Sequence, residues 1–170
     1  MRYAIIYGGI AGLVAICAIV AGLELGNHSM WFGYLVMLVA LSLIFVGVKR
    51  YRDIECGGVV GFGRAFLVGL GIATVAGLVY VAGWETYQEF SGIDFMADYS
   101  ANMIAEMRAR GASESEIAAS AAELRELAAN YDNPLFRLPM VFAEIFPVGL
   151  IVALVSAAVL RNPRALPARS

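Results

Sequence analysis

The chain has 170 residues, of which 61% are hydrophobic and only 15% are charged, and its formal net charge is −2 at pH 7. Soluble domains contain about 45–50% apolar and about 25% charged residues, and a small soluble fold has too little polar surface to cover the excess found here. The nearly neutral charge gives no indication of a nucleic-acid partner. The composition therefore predicts that the lipid bilayer is the main surrounding of this protein.

Four segments are long and apolar enough to cross a membrane as helices, which requires about 20 apolar residues. The first follows Arg2, but it is longer than the apolar part of a signal peptide and lacks a clear cleavage site, so we expect it to be retained. We predict an all-α membrane protein, with a single membrane domain over residues 1–170. The predicted spans are residues 4–23, 31–48, 65–84 and 140–160.

The two cysteines lie in different parts of this pattern. Cys17 is inside the first span and Cys56 is in the polar stretch after the second. We expect them at different depths of the bilayer, which is unfavourable for a disulfide bond. Neither belongs to a metal-ligand spacing such as CxxC, so we predict no metal and no cofactor.

Small residues recur every four positions in three of the spans, and such stripes let membrane helices approach closely. The second span has no such stripe. We therefore expect the first, third and fourth spans to pack together and the second to face more lipid, although the stripes would equally suit a homodimer. The stripes are Ala4, Gly8 and Gly12; Ala65, Gly69, Ala73 and Gly77; and Gly149, Ala153 and Ala157.

The connection KRYRDIECGG, residues 49–58, concentrates charge and glycine between two apolar spans. Its first interpretation is a topological anchor, since Lys and Arg collect on the cytoplasmic side. Its second is contact with lipid headgroups or a partner, because four basic residues just reach the size of lipid-binding clusters. The residues of this candidate cytoplasmic motif are Lys49, Arg50, Arg52, Asp53, Gly57 and Gly58.

The distribution of basic residues predicts the orientation. Eight flank the spans on the side of the chain ends, whereas the loop GNHSM has none and residues 85–137 have ten acids and four arginines. We therefore expect both termini in the cytoplasm and the acidic segment outside. The eight are Arg2, Lys49, Arg50, Arg52, Arg64, Arg161, Arg164 and Arg169.

The acidic segment predicts an outer helical hairpin over about residues 93–130. Gly111 provides a helix stop, and Ser113 with Glu116 forms a capping box for the second helix. The first helix carries a Met/aromatic arc, which either packs inside the hairpin or forms an adaptable docking face. The candidate partner face consists of Met96, Tyr99, Met103 and Met107.

Glu144 is the most unusual residue, because a carboxyl group inside a span is costly and often functional. It lies about one turn into the predicted fourth span, just before Pro147. Its shallow depth would also let it reach water or an interfacial partner. One histidine does not make a zinc site, and no serine stands in a GxSxG pattern. The candidate ion, ligand or proton site is Glu144, Glu24, Glu85, Glu89 and His28.

The stretch KRYRDIECGGVVGFGRAFLVG, the outer helix pair around GASESEI and the last span VGLIVALVSAAVL resemble the bacterial membrane family called domain of unknown function 4199. The resemblance covers most of the chain and implies a bacterial inner-membrane protein with this topology. It implies no reaction and no catalytic residue. Its most specific part is the pattern Arg52, Asp53, Gly57, Gly58, Phe62, Ala65 and Phe66.

These observations favour a non-enzymatic accessory or scaffold protein of the inner membrane. The alternative is a small transporter or channel component that uses the outer acids, including Glu144. The expected partners are the lipid bilayer and either another membrane protein or a second copy of the chain, and no nucleic acid is expected.

Overall fold

A computed structural model describes residues 1–26 and 29–167, with only the backbone at residue 30. The described residues form seven helices and no strand. His28 and Arg169, which the sequence analysis singled out, lie outside the described residues. The helices are α1 Arg2–Glu24, α2 Met30–Leu41, α3 Leu43–Glu55, α4 Phe62–Ser91, α5 Phe95–Ala109, α6 Glu114–Tyr131 and α7 Pro134–Leu160.

Four helical segments are long and apolar enough to cross a membrane, and they confirm the predicted fold class. They are α1, the pair α2 and α3, α4, and α7. Between α2 and α3 the helix is interrupted at Ser42, whose hydroxyl donates a hydrogen bond to the Val39 carbonyl at 2.6 Å. Such a bond to the preceding turn competes with the regular helical pattern and accounts for the irregularity.

The helices are longer than the predicted spans, most clearly α4, which has 30 residues. The chain also forms two compact units. The membrane unit comprises residues 1–84 and 142–170, and the hairpin unit comprises residues 85–141.

The small-residue stripes are contacts within one chain. A Cβ atom added at Gly8 would lie 2.7 Å from the Ile72 carbonyl oxygen, so α1 and α4 touch backbone to backbone there. A Cβ atom at Gly69 would lie 3.0 Å from the Cβ atom of Ala153, so α4 and α7 are also closely packed there. The close packing that the stripes predict is therefore present between α1 and α4 and between α4 and α7.

The second span does not face lipid as expected. Ile44 of α3 is completely buried and lies beside both Gly69 of α4 and Gly149 of α7. Gly47, one turn further on, is packed so closely that an added Cβ atom would meet Tyr7 and Ile72. Large side chains of this span fill the space beside glycines on its neighbours. The prediction that the second span faces more lipid was wrong, because close packing needs a stripe of small residues on only one of the two helices.

The hairpin unit contains α5 and α6, and both begin with a side-chain cap. The Asp94 carboxylate accepts a hydrogen bond from the Ala97 N–H at 3.0 Å. Ser113 and Glu116 form the predicted capping box, with the Ser113 N–H donating to the Glu116 carboxylate at 2.8 Å. The bond from the Ser113 hydroxyl, reinforced by this backbone bond, lowers the pKa of Glu116 below its usual value.

Candidate functional site

The predicted cytoplasmic motif is mostly helical. Residues 49–55 form the last turns of α3, so the basic residues stand on a helix and do not lie in a loop. The helix ends where Gly58, at φ +87°, donates its N–H to the Arg52 carbonyl at 3.0 Å. Gly57 has φ +60°, which is also a left-handed conformation that glycine adopts without strain. The glycine pair is therefore a helix stop, and it leads to α4 through a short turn.

Arg52 is the centre of one part of this motif. Its side chain is completely buried, and its guanidinium donates to the Asp53 carboxylate at 2.7 Å. It also donates to the carbonyl oxygens of Ala165, at 2.8 Å, and Leu166, both in the segment after α7. Lys49 pairs with the same carboxylate one turn earlier. Arg52 thus joins the end of α3 to the C-terminal segment, and its charge is compensated where it is buried.

Aromatic and charged side chains make a second set of contacts at this end of α3. The Tyr3 hydroxyl donates to the Glu55 carboxylate at 3.0 Å, and Arg2 pairs with the same group. Arg64 donates to the Tyr51 hydroxyl at 2.7 Å. These bonds connect α3 to the start of both α1 and α4.

Most charges of the motif are therefore engaged inside the protein. Of its six residues, only Arg50 and Gly57 are exposed. This placement favours a structural role for the motif, in which it ties chain segments together, over a broad lipid-binding surface.

The acids predicted to lie on the outer side do not all remain available for an ion. Glu85 receives two hydrogen bonds from Arg137, at 2.8 and 2.6 Å, within the hairpin unit. Glu24 already takes part in a non-covalent interaction in the structure, whereas Glu89 is exposed. Within residues 1–26 and 29–167, no three His, Cys, Asp or Glu residues form a group that would hold a metal ion.

Glu144 stands apart from these acids. It lies in α7 within the membrane unit, its side chain is exposed, and no described residue forms a hydrogen bond or ion pair with it. The α7 helix continues through Pro147 without interruption. The sequence identified this carboxyl group but did not show that it lies on an exposed face.

The Met/aromatic arc faces the interior of the hairpin unit. Met96 is buried, and Tyr99, Met103 and Met107 are half-buried. The ring of Phe95 lies 6.1 Å from that of Tyr131, near the end of α6. This arrangement favours intramolecular packing of the arc over a docking face.

An open groove lies beside the arc in the hairpin unit, and Met96 belongs to both. The hairpin groove is a depression of about 560 Å³ between α5 and α6. Small side chains make up almost half of its lining, with acids at one end and arginines further along. Sequence reasoning missed it, although the recurring alanines of α6 were a signal. Its lining residues are Asp94, Met96, Ala97, Ser100, Ala101, Ile104, Arg108, Ala121, Leu124, Arg125, Ala128, Ala129 and Asp132.

Comparison with models of protein families identifies the family of this chain. The model of the family described as "Protein of unknown function (DUF4199)" matches residues 2–162, nearly the whole sequence. The chain belongs to the DUF4199 family. Comparison with curated proteins and with solved structures gave no significant match. The family match agrees with the resemblance seen in the sequence.

Proposed function

We propose that this DUF4199 protein is a non-enzymatic accessory or scaffold protein of the bacterial inner membrane. Both termini lie in the cytoplasm in this proposal, and the hairpin unit is outside, where it binds another membrane protein. The observation that supports partner binding best is the open hairpin groove.

The shape of the groove suits a helix. Its walls carry small side chains such as Ala97, Ala101 and Ala128, which allow the backbone of a third helix to approach closely. Ile104 and Leu124 supply the apolar surface that such a helix would bury. Amphipathic helices commonly bind in grooves of this kind, so we assign the groove to a helix of the partner.

The charge of the groove specifies the partner further. Arg108 and Arg125 line it, both are exposed, and neither guanidinium has a hydrogen bond or ion pair among the described residues. Arg110, by contrast, lies outside the groove and pairs with Glu106 at 2.6 Å. Asp94 and Asp132 line the other end, so the charged lining residues balance and only the position of the charges is informative. We therefore expect the bound helix to carry acidic side chains where they can reach the two free arginines.

Affinity purification with matched charge reversals tests this proposal. The full-length protein is extracted in mild detergent, and the co-purifying proteins are quantified by mass spectrometry. A membrane protein with an acidic amphipathic segment should be lost from the double variant Arg108→Glu, Arg125→Glu and retained by the control Arg110→Glu. Retention of the same proteins by all three forms, or the absence of any partner, would contradict it.

Transport is the second candidate, because an unpaired carboxyl group in a span suits ion or proton transfer. Against it, Glu144 shares an exposed face of α7 with the apolar residues Ile151 and Leu154. Cation and proton flux into vesicles that contain the purified protein distinguishes the two functions. A flux that Glu144→Gln abolishes would establish transport and reject the accessory role.

A further inference from the structure

One face of α7 is exposed and has the spacing of a helix–helix interface. Its residues recur at intervals of three and four, which average 3.5 and match a left-handed coiled coil. Ile151 is 61% exposed and Leu154 40% exposed, so the residues that the structure describes leave much of this face uncovered. The α7 ridge, as we define it, consists of Glu144, Pro147, Ile151, Leu154 and Ala158.

The packing of the membrane unit shows how deep Glu144 lies. In α4 and α7, Gly69 lies beside Ala153, and Ala73 beside Gly149, so the two helices run antiparallel. Glu144 lies five residues before Gly149 in α7, so in this antiparallel register it is level with Leu78, five residues after Ala73 in α4.

The register between α1 and α4 completes the estimate. Gly12 of α1 packs between Ala76 and Val79 of α4. Glu144 is therefore level with the middle of α1, about 17 Å from either end of that helix. Along α7, Glu144 lies about 24 Å from Leu160, the inner end of the helix, and the hydrocarbon layer is about 30 Å thick. Both estimates place the Glu144 backbone inside the hydrocarbon.

A lone carboxyl group facing lipid at this depth is energetically unfavourable. Hydrogen bonding to a neighbouring membrane helix removes most of that cost, because lipid offers no donor or acceptor. The bundle supplies no such neighbour among its described residues, so we look for the hydrogen-bond partner of Glu144 on another chain.

We propose that the α7 ridge is a homodimer interface, in which the Glu144 side chains of two copies hydrogen-bond to each other. Two copies inserted in the same orientation are related by a two-fold axis along the bilayer normal, which keeps every residue at its own depth. Glu144 therefore meets Glu144, and no other group of the second copy is at the right level on the same face. This interface does not depend on the hairpin groove.

The chemistry of the pair is self-complementary. A protonated carboxyl group has both a donor and an acceptor, so each copy satisfies the other. At least one proton must be shared, because two carboxylates within hydrogen-bond distance repel each other. A single polar residue on a coiled-coil seam also specifies register and oligomeric state. Leu154 and Ile151 then pack against their own copies closer to the Leu160 end of α7.

Disulfide crosslinking in vesicles tests the interface directly. Full-length protein carrying Cys17→Ser and Cys56→Ser is reconstituted in phosphatidylcholine vesicles with one new cysteine, either Ile151→Cys on the ridge or Leu67→Cys on α4. Both sites are similarly exposed, at 61% and 66%. Oxidation should produce a covalent dimer from Ile151→Cys and not from Leu67→Cys. Equal crosslinking at the two sites, or none at Ile151→Cys, would overturn the proposal.

Substitution of Glu144 tests the hydrogen bond. In the Ile151→Cys background, Glu144→Leu should weaken association by about 3- to 30-fold, as expected for an interhelical hydrogen bond in a membrane. Glu144→Gln should retain the dimer, because an amide also has a donor and an acceptor. A leucine at this lipid-facing position is compatible with folding. Unchanged association in Glu144→Leu would refute the pair, as would a crosslink to a different protein in native membranes.

Discussion

Replacing Gly8 by alanine should destabilise the membrane unit, whereas the same change at Gly9 should not. A Cβ atom at Gly8 would lie 2.7 Å from both the Ile72 carbonyl oxygen and the Cβ atom of Val75. Nonbonded atoms of this kind normally stay about 3.5–4.0 Å apart, so α1 and α4 would have to separate by about 1 Å. At Gly9 nothing lies within 4 Å of the added atom.

The expected magnitude follows from the difference between the two variants. Both gain the same helix propensity from glycine to alanine, about 1 kcal/mol in water, so this contribution cancels. Overpacking a closely packed interior costs about 1–3 kcal/mol, and one obstacle at Gly8 is a backbone oxygen that cannot rotate away. The free energy of unfolding of Gly8→Ala should therefore be about 1–3 kcal/mol below that of Gly9→Ala.

Reversible unfolding in mixed micelles measures this difference. Sodium dodecyl sulfate is titrated into the purified protein, and the fluorescence of Trp31 and Trp84 follows the loss of structure. Equal free energies of unfolding for the two variants would show that α1 and α4 do not pack through Gly8, and the arrangement of the bundle would have to be revised.

Three further changes test other parts of the structure. Arg52→Met should lower the free energy of unfolding by about 3 kcal/mol and expose the C-terminal segment to protease, because the carbonyls of Ala165 and Leu166 lose their charged donor. Asp53 keeps its pair with Lys49, and Arg50→Met at the exposed position nearby should be tolerated. Gly57→Ala should lower the free energy of unfolding by about 1 kcal/mol, because φ is +60° at this residue. Gly61→Ala should leave it unchanged, because Gly61 has no positive φ and the space around both glycines is equally open. Acidification should loosen α6, because the pKa of Glu116 is lowered in the folded protein. The stabilisation by the capping box is therefore present above about pH 4.3, the pKa of an unfolded glutamate, and is lost as the pH falls through the pKa of the folded state.

Each of these has a result that contradicts it. Equal protease sensitivity of Arg52→Met and Arg50→Met would show that Arg52 does not hold the C-terminal segment in place. Identical stabilities of the two alanine variants in the turn would argue against a left-handed helix stop. Protection factors for amide hydrogen exchange in α6 that fall equally on acidification in the wild type and in Ser113→Ala would show that the capping box does not cause the pH dependence.

Much of the fold followed from local patterns. Four long apolar segments predict four membrane helices, because an unpaired backbone is not tolerated in lipid. The capping box at Ser113 and Glu116 was also predictable, since its partners are three residues apart. The approximate hairpin bounds came from the same kind of local signal.

The candidate site was less predictable. The basic motif was assigned to a connection, but apolar content alone does not locate the end of α3, which continues to Glu55. Its buried arginine binds carbonyl groups more than 110 residues away in the sequence. The pairing of Glu85 with Arg137 likewise joins residues 52 positions apart, and no periodicity encodes such a contact.

Hydropathy, small-residue spacing and helix caps, all readable from the chain alone, established that this is a four-span helical membrane protein with a capped helical hairpin. Only the tertiary structure decided which stripe meets which helix, that the second span packs against α4 and α7, and that Glu144 lies unpaired on an exposed face. The reason is geometric: the composition of a helix determines whether it enters the bilayer, whereas its rotation and register against its neighbours depend on side-chain shape along the whole contact.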